Sequence, residues 1–261
     1  MANTPFLQLP VSVPGASGPL IATNESRPIF PPALETGAYG HWDFSKNSES
    51  LINLITGRNL SLAGAAPTYL ADSIIIPSGG QNGLITLLND PGALTVCAVI
   101  KIDPATVSGD SSIIWGTSGT SSSEGGSMGY LTRSSGGTEQ MNMQSRVASN
   151  ATVQTLIPAV SIPNAEWVFA AWSRDAAPSR REYSPGAVNY ADVPTVGYTP
   201  STVGRKLAFG NAYYPTTTYW DGPQFAEIIV FTEGKSLVDL AAIALRSKAR
   251  MQRKGISIKN L

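Results

Sequence analysis

The eight residues Gln224–Phe231 (QFAEIIVF) constrain what this chain can fold into more than any other stretch. Phe225, Ile229 and Phe231 fall on one face at period two, and Ala226, Ile228 and Val230 fall on the other. Apolar side chains on both faces call for cover on both sides, which is the position of a strand inside a layered fold. Glu227 interrupts the first face. Two roles fit it: a ligand-binding acid, or a buried acceptor serving a loop. The second is expected, because buried polar groups are normally satisfied locally. Trp220-Asp221-Gly222-Pro223 reads as a turn before the strand, and Glu233-Gly234 ends it.

A helix follows over Ser236–Arg253. Ser236 is a good N-cap and Asp239 stands at N3, a capping-box variant with Asp in place of Glu or Gln. Leu237, Leu240, Ala241, Ala244, Leu245 and Met251 form its apolar stripe, and Gly255 is a plausible stop. Arg246, Lys248, Arg250, Arg253 and Lys254 crowd its C-terminal end, where positive charge complements the helix dipole. A nucleic-acid patch is the competing reading. The chain as a whole argues against it, with 14% charged residues and a formal net charge of zero over 261 residues.

Three segments carry a family resemblance. The first is the order Gly222, Ala226, Glu227, Ile228, Ile229, Val230, then Ser236 and Asp239. The second is Glu166-Trp167-Val168-Phe169-Ala170-Ala171-Trp172. The third is Leu94–Lys101 (LTVCAVIK), with Val99 where Trp is usual. Together they resemble the concanavalin A-like and laminin G-like jelly rolls, over roughly Tyr39 to Met251. The resemblance implies an all-β, two-sheet antiparallel jelly-roll sandwich with one C-terminal helix, of the kind found in tailed-bacteriophage virion proteins. It is nearly silent on ligand, since a fold does not fix a function.

The rest of the chain fits short strands separated by turns. Tyr39–Phe44 opens the sandwich. Leu51–Leu62 is a short strand or turn region. Ser73–Pro77 and Gly83–Leu88 are strands joined through Ser78-Gly79-Gly80, and Leu94–Ile102 and Ser111–Trp115 follow. Gly116–Gly129 is a polar loop. Tyr130–Thr132, Gln140–Val147, Thr152–Pro158 and Trp167–Ser173 are strands, Arg174–Pro200 is a long irregular stretch, and Leu207–Phe209 starts the closing unit.

Residues 1–34 form a separate extended arm ahead of the sandwich at 35–261. Pro5, Pro10, Pro14, Pro19, Pro28, Pro31 and Pro32 exclude helix and ladder pairing there. Phe6, Leu7, Leu9, Val11, Val13, Leu20, Ile21, Ile29 and Phe30 give the arm apolar anchors, to lie on its own sandwich or on a neighbouring subunit. Met1–Gly15 lacks a basic n-region and an unbroken apolar core, so export by a cleaved leader is not expected. No apolar run is long enough for a membrane span.

Catalytic chemistry is sparse. The family's β-glucan hydrolases carry paired acids as E-x-D-x-x-E or E-x-D-x-E, whereas Glu124, Glu139, Glu166, Glu182 and Glu227 stand apart here. His41 is the only histidine and reads as a packed or surface residue. Cys97 is the only cysteine and reads as a small buried hydrophobe. No Cys/His cluster suggests zinc. Some relatives hold calcium at the sandwich rim, but no acidic cluster here points to it, so no cofactor or metal is assigned. Recognition chemistry concentrates in Asn211–Trp220 (NAYYPTTTYW), where Asn211, Tyr213, Tyr214 and Tyr219 are the candidate ligand residues: amides serve sugar hydroxyls, and aromatic rings anchor sugars and partners alike. The alternative is that one Tyr and Trp220 are core.

These readings converge on a non-catalytic structural protein of a virion, in the phage tail or capsid, attached by its arm to other virion proteins or copies of itself. Adhesion to a host-surface glycan is a compatible second task. A lectin-like carbohydrate- or receptor-binding module is the alternative, and a glycoside-active enzyme the remote one. Neither nucleic acid nor membrane insertion is expected.

Overall fold

The computed structural model describes residues 34–102, 111–119, 124–133, 138–147, 150–154, 160–163, 165–176, 179–192, 199–215 and 222–261. The chain divides into two units, Met1–Ala33 and Leu34–Leu261. The arm anchors from Phe6 to Phe30 lie outside the described residues.

The described residues form an all-β sandwich with one helix. Its strands are β1 (Gly40–Asp43), β2 (Ser61–Ala63), β3 (Thr68–Tyr69), β4 (Ile74–Ile75), β5 (Asn82–Asn89), β6 (Leu94–Lys101), β7 (Ser111–Gly116) and β8 (Gly126–Arg133), then β9 (Thr138–Val147), β10 (Asn150–Gln154), β11 (Val160–Pro163), β12 (Val168–Arg174), β13 (Ser179–Ser184), β14 (Ala187–Asp192), β15 (Lys206–Asn211) and β16 (Gln224–Phe231). Helix α1 is Leu237–Arg253, and a 3-10 turn occupies Ser48–Leu51. The first sheet runs β14-β13-β12-β6-β16-β4-β3, with β1 also on β16. The second runs β10-β9-β8-β7-β15-β5-β2, with β11 also on β9. Every pairing is antiparallel.

The core lies between the sheets. Trp42, Val96, Ala98, Ile100, Ala170, Trp172, Ile228 and Val230 of the first sheet meet Leu84, Ile114, Trp115, Leu131, Met141, Met143 and Phe209 of the second. Trp42 and Phe209 meet edge to face at 5.3 Å, a favoured aromatic geometry. The Trp172 Nε1–H donates to the carbonyl of Asn142 at 3.1 Å, stitching the sheets together. Gly129 has no side chain because Trp115 fills its space: a Cβ there would sit 2.1 Å from the indole nitrogen.

The outer face of the first sheet is closed by α1. Leu240, Ile243, Ala244 and Met251 pack on Cys97, Val99, Phe169, Ala171, Ile229 and Phe231. The helix begins as the sequence predicts: the Asp239 amide donates to Ser236 Oγ at 3.2 Å, and the Ser236 amide returns a bond to the Asp239 carboxylate. Gly255, at φ +77, follows the C-cap in the left-handed region that glycine tolerates. Leu245 is a correction: it is 62% exposed, and Ile243 takes the inward position. Cys97 is fully buried, and burial pushes its thiol far up, as befits an inert core residue.

Two further expectations change. Between Phe225 and Glu227 a β-bulge inserts one residue into β16. Phe225 therefore packs between the sheets with Ile228 and Val230, while Ala226, Ile229 and Phe231 face the helix. A bulge breaks strict alternation, so the period-two assignments of Phe225 and Ala226 both fail. Ser73–Pro77 and Gly83–Leu88 hold β4 and β5 as expected, and the two strands belong to different sheets. Arg174–Pro200, expected to be irregular, holds the hairpin β13–β14. The hairpin was disguised because its inward residues are charged. Arg180 and Glu182 are buried on the core side of β13, opposite Arg174 and Trp172.

Candidate ligand face

With α1 on the first sheet, the remaining broad face of the sandwich is the outer side of β7, β8, β9 and β11. Its side chains follow from alternation. In β9, Met141 and Met143 point into the core, so Gln140, Asn142 and Gln144 stand on the opposite side. The registers Ser111↔Thr132, Thr132↔Gln140 and Gln140↔Ser161 line up a row of hydroxyl and amide groups across four strands. Gln140 and Ser161 are exposed, and Ser111 and Thr132 half-buried. Ser111 and Thr132 share a hydrogen bond at 3.1 Å. A second row runs Ile113↔Tyr130↔Asn142. The Asn142 amide donates to the Gln140 carbonyl at 2.9 Å and to Thr132 Oγ1 at 3.4 Å, which fixes its orientation between the rows.

The tyrosine loop folds back on this same face, further along the strands. Tyr214 packs on Ile113 and Met128. Its hydroxyl bonds Ser118 Oγ at 3.2 Å, and the Arg146 guanidinium stands 5.9 Å from its ring. Asn211 donates from Nδ2 to Gly79 O at 3.2 Å and accepts the Tyr214 amide at 3.1 Å. Tyr213 is half-buried. Its hydroxyl donates to Lys206 O at 2.7 Å, Arg205 stands 5.1 Å over its ring, and burial pushes its phenol up. Of the four residues singled out in the sequence, Asn211 and Tyr214 are thus buried loop fasteners, at 4% and 5% exposed. Tyr213 still reaches the surface, and Tyr219 lies outside the described residues, as does Trp220.

Charge at this end of the face is paired. Arg205 donates to Glu124 Oε2 from Nε at 3.2 Å and from Nη2 at 2.6 Å. Arg146 donates from Nη1 to Gly119 O at 2.5 Å.

The acid flagged in β16 is part of a different structure. Glu227 is buried and accepts from His41 Nε2 at 3.0 Å and from Arg250 of α1. Arg250 Nη1 also donates to Glu35 at 2.8 Å, and Arg246 binds Glu35 through two nitrogens. Lys254 Nζ reaches Asp43 at 2.7 Å and Phe44 O at 2.6 Å. The basic end of the helix is therefore a clamp onto β16, β1 and the chain entering β1. His41 is buried in this clamp. Among the described residues no group of three His, Cys, Asp or Glu could hold a metal ion, and no helix is long and apolar enough to cross a membrane.

No protein-family model matches the sequence, and no curated protein matches it. Solved structures do match in fold. CBM40 of the Ruminococcus gnavus IT-sialidase, bound to α2,3 sialyllactose, gives a TM-score of 0.50 at 15% identity, over 66% of this chain and 96% of that one. The binding domain of botulinum neurotoxin serotype D gives 0.56 at 12% identity, over 81% of this chain and 51% of that one. Botulinum neurotoxin type C, whose cell entry depends on interaction with two ganglioside molecules, gives 0.54 at 10% identity, over 80% and 51%. The chain spans about half the length of the toxin structures. At such identities the likeness establishes a β-sandwich of the kind these binding domains use, and leaves the ligand to be argued from the face itself.

Proposed function

We propose that this protein is a non-catalytic glycan-binding module that offers the outer face of its second sheet to the ligand. The observation that carries this reading is the row Ser111–Thr132–Gln140–Ser161 beside Tyr130 and Asn142. Hydroxyls and amides both donate and accept, which is what a sugar hydroxyl needs, and a neighbouring ring supplies an apolar platform. The opposite face is sealed by α1, so the sandwich has one broad side to offer. Two of its fold neighbours support the class of ligand, one being bound to sialyllactose and the other depending on gangliosides.

The test is glycan-array binding by the full chain, followed by titration calorimetry on the best ligand. Gln140→Ala and Tyr130→Ala are expected to weaken binding at least tenfold, while Val238→Ser on the exposed side of α1 leaves it unchanged. Array silence, or binding indifferent to both face variants, overturns the proposal.

The segment at 1–34 supports a second, compatible reading. Its apolar anchors spaced by prolines suit fastening to other virion proteins or to copies of this chain, which would place the glycan face on a particle surface. Mass spectrometry of purified particles tests that setting: the chain must be found there in stoichiometric amount.

A further inference from the structure

Resting on the glycan-binding reading, we infer that this face selects neutral glycans and rejects sialylated ones, unlike the sialyllactose-bound neighbour. A sialic acid carries a carboxylate. Taking a carboxylate out of water is favourable only where a charge-assisted donor replaces the lost hydration, and a bidentate arginine is the usual provider. Among the described side chains, the polar rows have none to give.

The basic residues on the strands of this face, or next to them in the chain, are Arg133, Arg146, Arg205 and Lys206. Three of them gather at one end. Arg146 lies opposite Gly126 in the ladder, six positions along β8 from Thr132, a separation of ~20 Å at strand spacing. There it is engaged with Gly119 O and the Tyr214 ring. Arg205 is engaged with Glu124 and the Tyr213 ring, and Lys206 adjoins it in the chain. Arg133 follows Thr132 in β8, and its backbone partner in the ladder is Glu139.

The sequence of the segments outside the described residues between Asp103 and Asp221 points the same way. Residues 103–110, 120–123, 134–137, 148–149, 155–159, 193–198 and 216–221 contain no lysine or arginine, and they contain Asp103, Asp110 and Asp221. Among the described side chains, a carboxylate laid across Ser111, Thr132, Gln140 and Ser161 would meet only neutral donors. A neutral sugar meets the groups it needs and leaves no charge unpaired.

The experiment compares matched pairs of glycans, each neutral oligosaccharide beside its sialylated derivative, by array and then by calorimetry with the full chain. The neutral member of the best pair is expected to bind at least tenfold more tightly. Its affinity should hold steady between 50 and 500 mM NaCl, because no ion pair is there to be screened. Gln140→Arg should shrink the preference by restoring a cation to the row. A sialylated glycan that binds as well as its neutral partner, and is lost in Gln140→Ala, overturns this inference and leaves the glycan reading standing. Absence of binding to either member of every pair removes both.

Discussion

Arg250 holds two carboxylates at once, Glu227 and Glu35, in a site closed to water by α1 and β16. Removing it leaves two buried acids without their counter-charge, so Arg250→Ala is expected to cost about 3–5 kcal/mol in urea denaturation. The pH dependence has a definite sign. Burial alone would raise the pKa of Glu227, but the bond from His41 and the charge of Arg250 outweigh it and hold it at about 2. Glu35 is lowered in the same way by Arg246 and Arg250 against its own desolvation. Depressed folded-state values mean stability that is present above the unfolded carboxylate range and is lost as pH falls toward 2. The acid-side loss should be flattened in Arg250→Ala. Glu182 behaves oppositely. It is buried between the sheets, where burial outweighs the backbone amide of Val160 and pushes its carboxyl up to about 9. The folded state then keeps a proton that the unfolded chain releases near its ordinary value, so this residue lowers stability as pH rises from 4.5 to about 9. Glu182→Gln should raise the urea midpoint at pH 8 and change it little at pH 4. Glu227 was conspicuous in the sequence as a charge inside an apolar run. Its partners were not legible, because Arg250 lies on the following helix and His41 is 186 positions away.

At the level of elements, legibility followed local signals. The helix could be bounded because its start is written in adjacent residues, Ser236 and Asp239. Ser236→Ala removes the side-chain arm of that capping box, leaving the backbone amide at 236 to donate to Asp239, and should cost about 1 kcal/mol, read as a fall in thermal midpoint with the helical signal otherwise retained. β16 was equally plain in extent, yet its bulge was not, since an inserted residue leaves no mark on composition. β13 and β14 were missed because Arg180 and Glu182 occupy inward positions that hydropathy reserves for apolar residues. The face built by β7, β8, β9 and β11 was missed for another reason. Gln140-Met141-Asn142-Met143-Gln144 does alternate, and that signal could have been read as one polar side and one core side. What brings Ser111, Thr132 and Ser161 beside Gln140 is register between strands far apart in the chain, which no single segment encodes. The tyrosine loop drew attention instead because aromatic residues among Pro and Thr look exposed. Tyr214 is nonetheless held down by Ile113, Met128 and Ser118.

At the largest scale, the sandwich at Leu34–Leu261 is two-sided. One side of the sandwich is finished by α1 and its ion pairs, and the other is a sheet face edged with hydroxyls and amides. The clamp at Glu35 has a mechanical consequence. A pull delivered to the sandwich at Leu34 reaches Glu35 first, and there the chain is tied to Arg246 and Arg250 before it enters β1. The load divides between those ties and the ladder of β1 on β16 instead of falling on one strand. The ties also pass through Arg250 to Glu227, so tension presses on the middle of the first sheet through its helix, not at a fraying edge. A protein held by its N-terminus against a moving surface would grip at its best-braced point.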